Sequence, residues 1–316
     1  MTIESGGIRT TVTRRRELTP DIAEFTLVAA DGGALPAFTP GAHITVQTPS
    51  DAVRRYSLVG TGEEPDAYVI AVKREPESRG GSRSMHEQVQ EGTELLIEPP
   101  ENDFPLKDVP KYLLIAGGIG ITPIYSMAQK LAEDGKAFSI IYCTRSPEQT
   151  AYREELQKAF PGKVKLHHDK GDPAKAYDFW DNFAEPQTMH VYCCGPKPLM
   201  EEIKAVSGHW PEGRVNFEDF KPVEVVRADD HEFKVELARS GQTVTVPADK
   251  SILEALRENG FKTPSSCESG TCGTCKTRLL AGEPDHRDMV LMDEEKADTI
   301  MICVSRAKSG DLVLDL

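Results

Sequence analysis

Hydrophobic and polar residues alternate with period two through most of residues 8–100, the spacing of half-buried strands. The runs IAEFTLVA (22–29), AHITVQT (42–48), RRYSLVG (54–60) and AYVIAVKRE (67–75) each read as a strand, with turn signals between them at Pro40-Gly41 and Thr61-Gly62. A short helical piece, SMHEQVQ, precedes a last strand, TELLIEPP. Many short strands punctuated in this way predict a small antiparallel barrel. The pattern then changes. Tyr112 to Ala116 is a continuous apolar run, followed by the loop GGIGITP and a helix with Ile124, Met127, Ala128 and Leu131 at helical spacing and Gly135 at its end. Thr122 is the expected N-cap and Pro123 the expected first helical residue.

Further strands are predicted at AFSIIYCT (137–144), KVKLHHD (163–169), MHVYCCG (189–195) and RVNFEDF (214–220), with helical segments such as EQTAYREELQKAF between them. Strand and helix in strict alternation imply a parallel sheet covered on both faces. After Phe220 the stretch KPVEVVRADDHEF is polar and irregular, as a linker is. The remainder opens with a hairpin, FKVELARSGQTVTVPA, turning at Ser240-Gly241. Ser251 and Glu254 form a capping box ahead of ILEALRENG, whose Ile252, Leu253 and Leu256 would cover a small sheet before Gly260 ends the helix. The fold expected is therefore multidomain, α+β and α/β: an antiparallel β-barrel over 1–105, a parallel-sheet domain over 106–225 and a third, small domain over 226–316.

At 316 residues with 39% hydrophobic content, the chain has enough apolar surface for these cores. No apolar run approaches the length that spans a bilayer, and the N-terminal residues do not read as a signal peptide, so no membrane role is expected. Seven cysteines, an odd number, argue against a disulfide scaffold and point to the reducing cytoplasm. A net charge of −14 excludes nucleic acid as the partner, since phosphate contacts need a basic surface. The acidity either steers a basic partner protein or serves solubility alone.

The densest chemistry lies in PSSCESGTCGTCKT, where Cys267, Cys272 and Cys275 are separated by four and two residues, with Cys303 following in MICVSRAKSG. Three thiolates on one short loop and a remote fourth are the ligand pattern of a plant-type 2Fe–2S cluster. Gly270 and Gly273 between them allow tight turns. A zinc site is the alternative, but zinc knuckles pair two short Cys-x-x-Cys hooks and this chain has one. Such a cluster moves one electron at a time.

In GGIGITP, Gly117, Gly118 and Gly120 would let the backbone approach a phosphate at a helix N-terminus. The loop departs from the GxGxxG fingerprint, so a plain tight turn is the competing reading. A second turn, CCGPKPLM, follows a later strand of the same sheet. Ligands of parallel sheets lie beyond the carboxyl ends of the strands, where Thr144, Arg145, Asp169, Cys194, Gly195 and Pro196 would gather. Asp169 would bond ribose hydroxyls and repel a 2′-phosphate, which favours NADH; Arg145 favours NADPH. In the barrel, Arg54, Tyr56 and Ser57 sit on one strand, with Arg54 and Tyr56 on one face and Ser57 on the other. RGGSRSMHE (79–87) supplies Gly80, Gly81 and Ser82 ahead of a helical turn, a second phosphate cradle or an ordinary surface loop. Nicotinamide gives up two electrons together and a 2Fe–2S centre takes one, so a flavin must stand between them. The barrel is the place left for it. Cys143 and Cys193 read as core residues, Cys194 as either a pocket residue or a buried small apolar one, and His167-His168 as strand residues facing opposite sides.

Taken together, RRYSL, YVIAVKRE, RGGS, GGIGITP, HVYCCGP and PSSCESGTCGTCKT, in this order along nearly the whole chain, resemble the ferredoxin–NADP reductase superfamily. Within it the resemblance is to reductases of Rieske-type oxygenases, with a plant-type ferredoxin domain of β-grasp fold at the C-terminus. That resemblance implies FMN in the barrel, NADH on the parallel sheet and the cluster in the last domain. It places Arg54 toward the FMN phosphate, Tyr56 against the flavin ring and Ser57 near its reactive nitrogen. It adds Val72, Lys73 and the turn Gly80, Gly81, Ser82 to the FMN contacts and puts Phe220 near the flavin. Ser57, Thr122 and Cys194 are then the residues at the hydride-transfer centre. The barrel has no extended aromatic-bearing loop to hold an adenine, which accords with FMN in place of FAD. The implied activity is an NADH-dependent oxidoreductase, a monomer, that supplies electrons to a separate Rieske-type aromatic-ring dioxygenase acting on an acid such as phthalate. The reductase of an aromatic O-demethylase or other Rieske monooxygenase is the close alternative, and a non-enzymatic redox sensor the distant one.

Overall fold

A computed structural model of the chain describes residues 7–63, 65–75, 80–220, 227, 229–264, 270, 273–288 and 290–316. The first strands are β1 (Ile8–Thr19), β2 (Ile22–Ala29), β3 (His43–Gln47), β4 (Val53–Val59) and β5 (Tyr68–Lys73). Helix α1 (Gly81–Gln88) and strand β6 (Glu94–Ile97) complete the set. They close into a barrel in the order β1-β2-β5-β4-β3-β6 with every pair antiparallel. Inward positions of the alternating runs, among them Phe25, Leu27, Ile44, Val46, Leu58 and Ile70, fill its core.

The second sheet consists of β7 (Lys111–Gly117), β8 (Ala137–Thr144), β9 (Val164–His168), β10 (His190–Cys194) and β11 (Val215–Glu218). Its order is β11-β10-β7-β8-β9 and all pairs are parallel. Helices α2 (Ile121–Glu133), α3 (Arg153–Ala159), α4 (Trp180–Phe183) and α5 (Lys197–Ser207) connect the strands, and two apolar clusters flank the sheet. Two helix starts differ from expectation. A single 3₁₀ turn, Gly118–Gly120, runs directly into α2, so Gly120 is the N-cap and Thr122 lies inside the first turn. Thr122 Oγ1 instead donates to the Ile119 carbonyl at 3.1 Å. The segment EQTAYREELQKAF does not form one helix, because Tyr152 takes a left-handed φ of 57° and α3 begins only after it. The Tyr152 ring is buried against Tyr125 at 5.1 Å and under the Arg16 guanidinium at 5.8 Å; packing of this kind is what holds the residue in a disfavoured backbone well.

Barrel and parallel sheet share one compact unit that ends at Glu218. Ala71 and Ile22 of the barrel belong to the apolar cluster of α2 and β7, with Val59 against it. Ser126 Oγ of α2 donates to the Gly60 carbonyl at 2.6 Å. Arg16 joins Glu24 on β2, at 3.0 Å, to Glu155 on α3, at 2.6 Å, and these two carboxylates hold its guanidinium charged.

The second unit, Asp219–Leu316, carries β12 (Phe233–Leu237), β13 (Gln242–Val246), α6 (Ile252–Glu258), β14 (Lys276–Asp285), β15 (Thr299–Met301) and β16 (Arg306–Leu314). The sheet order is β13-β12-β16-β14-β15, with β12 parallel to β16 and the rest antiparallel, and α6 covers it as expected of a β-grasp. The capping box is present: Ser251 Oγ accepts from Glu254 N, and the Glu254 carboxylate accepts from Ser251 N. A buried ionic cluster lies at the start of this unit. Arg287 grips Asp230 through both terminal nitrogens, and Arg306, 1% exposed, donates to the carbonyls of His231, Pro247 and Lys250. Breaking one partner of such a pair costs far more than the pair contributes, since the other charge stays buried. No helix among the described residues is long and apolar enough to cross a membrane.

Candidate functional site

The β4–β5 ladder is short. Only Leu58–Val59 pairs with Val69–Ile70, although β4 continues back to Val53 along β3 and β5 continues to Lys73 along β2. Residues 54–57 and 71–73 are therefore the two lips of a separation in the barrel wall. Alternation then sorts the side chains. Tyr56 and Leu58 pack on the barrel core, whereas Val59 packs on the α2 side, so Ser57 faces the parallel sheet. Ser57 is 4% exposed, yet its hydroxyl and that of Tyr56 are enclosed without a hydrogen bond among the described residues. Burial raises the Tyr56 phenol well above its ordinary range, so it is a donor at any physiological pH. The Val72 side chain is wholly inside the barrel core, which leaves only its backbone to face a ligand; Lys73 Nζ is engaged with Glu75 at 2.9 Å.

The two phosphate-type features of the barrel meet. A Cβ added to Gly81 would stand 3.0 Å from Arg54 Nε, so the guanidinium stem lies directly over the first turn of α1. Gly80 precedes that turn in a left-handed conformation, φ 105°, and no side chain caps the helix. Ser82 Oγ accepts from Glu75 N at 3.1 Å and keeps its own proton to give. A cation beside an uncapped helix start suits a phosphate monoester, so these residues fit FMN.

On the parallel sheet, the turn after β7 and the turn after β10 pack backbone to backbone. A Cβ on Gly120 would come within 2.2 Å of the Cys194 carbonyl, and one on Gly117 within 2.5 Å of Pro196 Cδ. A Cβ on Gly195 would reach Gly117 at 3.0 Å. These glycines thus allow two turns to nest, a reason distinct from phosphate approach. The nested turns contact β5, which brings Gly118 and Ile119 to the lip of the barrel. Cys194 is fully buried beside them. Farther along the strand ends, the Thr144 hydroxyl meets Thr150 Oγ1 at 2.7 Å and His168 Nδ1 at 2.9 Å. Asp169 Oδ1 accepts from Gly171 N at 2.7 Å, closing its own turn beside the exposed Arg145. His167 turns the other way, to the Lys175 carbonyl and the Tyr177 ring. Burial pushes the Cys143 thiol up to about 12 and Cys193 higher still, as core residues behave.

One residue escaped the sequence reading. Glu218 ends β11 in register with Cys194, and its Oε2 is enclosed without a hydrogen bond among the described residues. Burial first, then the nearby Asp103, push its carboxyl up to about 8, while Arg55 pulls the other way. The surroundings thus favour the protonated form of this carboxyl at the edge of the sheet. Its alternation resembles that of any solvent-facing strand residue, and only the sheet order reveals it. Two open hollows of the first unit, about 580 Å³ at Arg15 and Glu91 and about 430 Å³ at Thr48 and Leu95, lie elsewhere and gather no such chemistry.

In the second unit Cys275 and Cys303 are each 3% exposed and belong to one core cluster. Gly270, at φ 72°, lies against that floor, where a Cβ would be 2.8 Å from Val304 Cγ2. Gly270 thus rests beside the residue that follows Cys303; Cys267 and Cys272 lie outside the described residues. Two buried thiols in one core cluster, with the glycine of the cysteine loop close by, fit a 2Fe–2S centre. Phe220 falls in this unit and is 39% exposed.

A flavin-type barrel joined to a nucleotide-type parallel sheet, followed by a β-grasp cysteine unit, defines an electron-transfer oxidoreductase of the ferredoxin–NADP reductase type. Comparison with known proteins agrees. Residues 114–205 match an oxidoreductase NAD-binding domain and residues 235–308 a 2Fe-2S iron-sulfur cluster binding domain. Phthalate dioxygenase reductase from Burkholderia cepacia is 48% identical over 317 residues, covering 99% of this chain and 98% of that protein. Vanillate O-demethylase oxidoreductase from Pseudomonas putida is 42% identical over 313 residues, covering 96% and 98%. A solved phthalate dioxygenase reductase, described as a modular structure for electron transfer from pyridine nucleotides to [2Fe-2S], aligns over 99% of both chains with a TM-score of 0.79 and 47% identity. The chain belongs to the phthalate dioxygenase reductase family.

Proposed function

We propose that the chain takes electrons from NADH, passes them through FMN to its 2Fe–2S cluster, and delivers them singly to a separate Rieske-type aromatic-ring dioxygenase of the phthalate dioxygenase kind. The observation that carries this reading is the enclosed, unbonded pair of hydroxyls on Tyr56 and Ser57, at a parted strand pair that also meets Arg54 over Gly81 and the turn at Gly118. Bound there, FMN would supply a chemistry that side chains lack, acceptance of an electron pair and its release one at a time.

The protein's part is orientation. Arg54 and the N–H groups of Gly81 and Ser82 hold the phosphate; Tyr56 backs the ring, and Ser57 donates its free proton toward the reactive nitrogen. The backbone of Val72 and Lys73 lines the opposite lip. Gly117, Gly118 and Gly120 meet the dinucleotide, Thr122 and Cys194 line the nicotinamide, and Thr144, Arg145, Asp169, Gly195 and Pro196 position the remainder. Cys267, Cys272, Cys275 and Cys303 ligate the cluster. The domain ranges that go with these roles are 1–105, 106–225 and 226–316. The protein works as a cytoplasmic monomer, and the higher identity to phthalate reductases favours a ring dioxygenase over an O-demethylase as partner.

Purified protein tests this directly. NADH should bleach a flavin absorbance and drive rapid cytochrome c reduction, and Cys272→Ser should abolish the cytochrome c reaction while sparing flavin bleaching. Protein with neither flavin nor NADH turnover would overturn the enzyme reading, and full cytochrome c activity in the variant would overturn the electron route.

A further inference from the structure

Helix α1 holds a buried histidine for which the electron-transfer scheme has no use. His86 lies five residues beyond Gly81, is 8% exposed, and is flanked by Met85 and Val89, both fully inside the barrel core. Its Nε2–H donates to the Val72 carbonyl at 2.8 Å. Burial holds the imidazole below its usual range, so it is neutral and has a single N–H, which is committed to this bond. Val72 lies two residues beyond Ile70, where the β4–β5 ladder ends, so the bond fixes α1 to β5 where β4 no longer does. The same helix is pinned at its other end. Ser84 Oγ donates to the Gly81 carbonyl at 2.9 Å and accepts from Ser50 N at 3.3 Å, while Ser82 Oγ accepts from Glu75 N.

From these contacts we infer that His86 is a positioning residue for the phosphate end of FMN, setting the height of the Gly80–Ser82 turn against Arg54 and the Val72–Lys73 lip. The inference rests on the reading of this turn as the FMN phosphate site. With the His86 bond gone the helix pivots on the serine contacts at its start, and a phosphate held by the N–H groups of the first turn registers the tilt at once. The flavin ring, held by Tyr56 and Ser57 on β4, does not.

The test uses full-length protein stripped of flavin and titrated with FMN and, separately, with riboflavin, which shares the ring and lacks the phosphate, with flavin fluorescence as the readout. His86→Leu should weaken FMN binding about tenfold and riboflavin less than about twofold, as loss of one buried hydrogen bond predicts. His86→Gln, whose amide reaches the same carbonyl, should restore most of the FMN affinity. His86→Asn, one carbon shorter, should behave as the leucine variant does and serves in its place if that variant does not fold. Unchanged FMN affinity in a folded variant, or equal weakening of both ligands, would overturn the positioning role. Wild-type protein that binds riboflavin as tightly as FMN would instead overturn the phosphate site itself.

Discussion

Gly120→Ala is the sharpest perturbation of the proposed hydride-transfer site. Gly120 has an ordinary helical φ of −60°, so an alanine there meets no conformational penalty. The penalty is steric: the new methyl would stand 2.2 Å from the Cys194 carbonyl oxygen and 2.8 Å from Gly195 N, both backbone atoms that cannot rotate aside. Restoring van der Waals contact requires the turns after β7 and β10 to part by about 1 Å, and misplacement on that scale lowers a positioned reaction by about 10²-fold. The assay is anaerobic stopped-flow mixing with NADH, following the flavin band. Dithionite reduction of the same sample checks that both redox centres are intact. Gly135→Ala, at the far end of α2, is the control: its Cβ meets nothing and its left-handed φ of 65° costs stability of roughly 1 kcal/mol. The expected result is slow flavin reduction in Gly120→Ala alone. A rate within about threefold of wild type would refute the nested turns as the nicotinamide platform.

Three further outcomes are expected. Glu218→Gln should flatten the pH dependence of thermal stability: a carboxyl that holds its proton to about 8 when folded loses stability for the fold as pH rises from its ordinary value of 4.5 to that point, and the amide does not. An unchanged slope between those limits would mean that Glu218 ionises freely. Asp169→Ala should lower the preference for NADH over NADPH about tenfold in steady-state kinetics; identical ratios in both proteins would remove Asp169 from the site. Asp230→Ala should destabilise the second unit by about 2 kcal/mol in denaturant titrations followed by cluster absorbance, because the buried Arg287 loses two charge-assisted hydrogen bonds and keeps its contact with Asp285. Arg287 holds the Asp230 carboxyl down to about 2, so the pair's contribution is complete above the ordinary value of 3.8 and is lost as pH falls toward 2. A loss below about 1 kcal/mol would show the pair to behave like an exposed one.

The three-sheet architecture was legible because each module has its own periodicity: alternation in the barrel, apolar runs between helices in the parallel sheet, and a capping box ahead of a cysteine loop in the last unit. Ser251 and Glu254 illustrate the strongest case, in which the whole motif lies within four residues. What the sequence concealed depends on neighbours distant along the chain. The parting of β4 from β5 after Ile70 is a register property, and neither strand alone announces it. Glu218 gains its meaning from Cys194 on the next strand, and His86 from a carbonyl fourteen residues away. Gly117 and Gly120 were read as phosphate-approach residues and Gly195 as a ligand-site residue at a strand end, yet their contacts are with one another's turns. Thr122 was expected to cap α2, but the preceding 3₁₀ turn starts the helix earlier, and local propensity carries no information about a turn that feeds a helix without a break. Strands β14 to β16 went unassigned because residues 276–285 and 306–314 are interrupted by charge, Gly and Pro.

The central claim is that electrons enter this chain in pairs and leave one at a time through a cluster on the second unit. An anaerobic titration with NADH, monitored together by the flavin band and by low-temperature electron paramagnetic resonance, tests it most directly. The account predicts that flavin bleaching is accompanied by the rhombic signal of a one-electron-reduced 2Fe–2S centre, and that Cys272→Ser bleaches without that signal. Wild-type protein whose flavin is fully reduced by NADH while no cluster signal develops, even after dithionite, would contradict it.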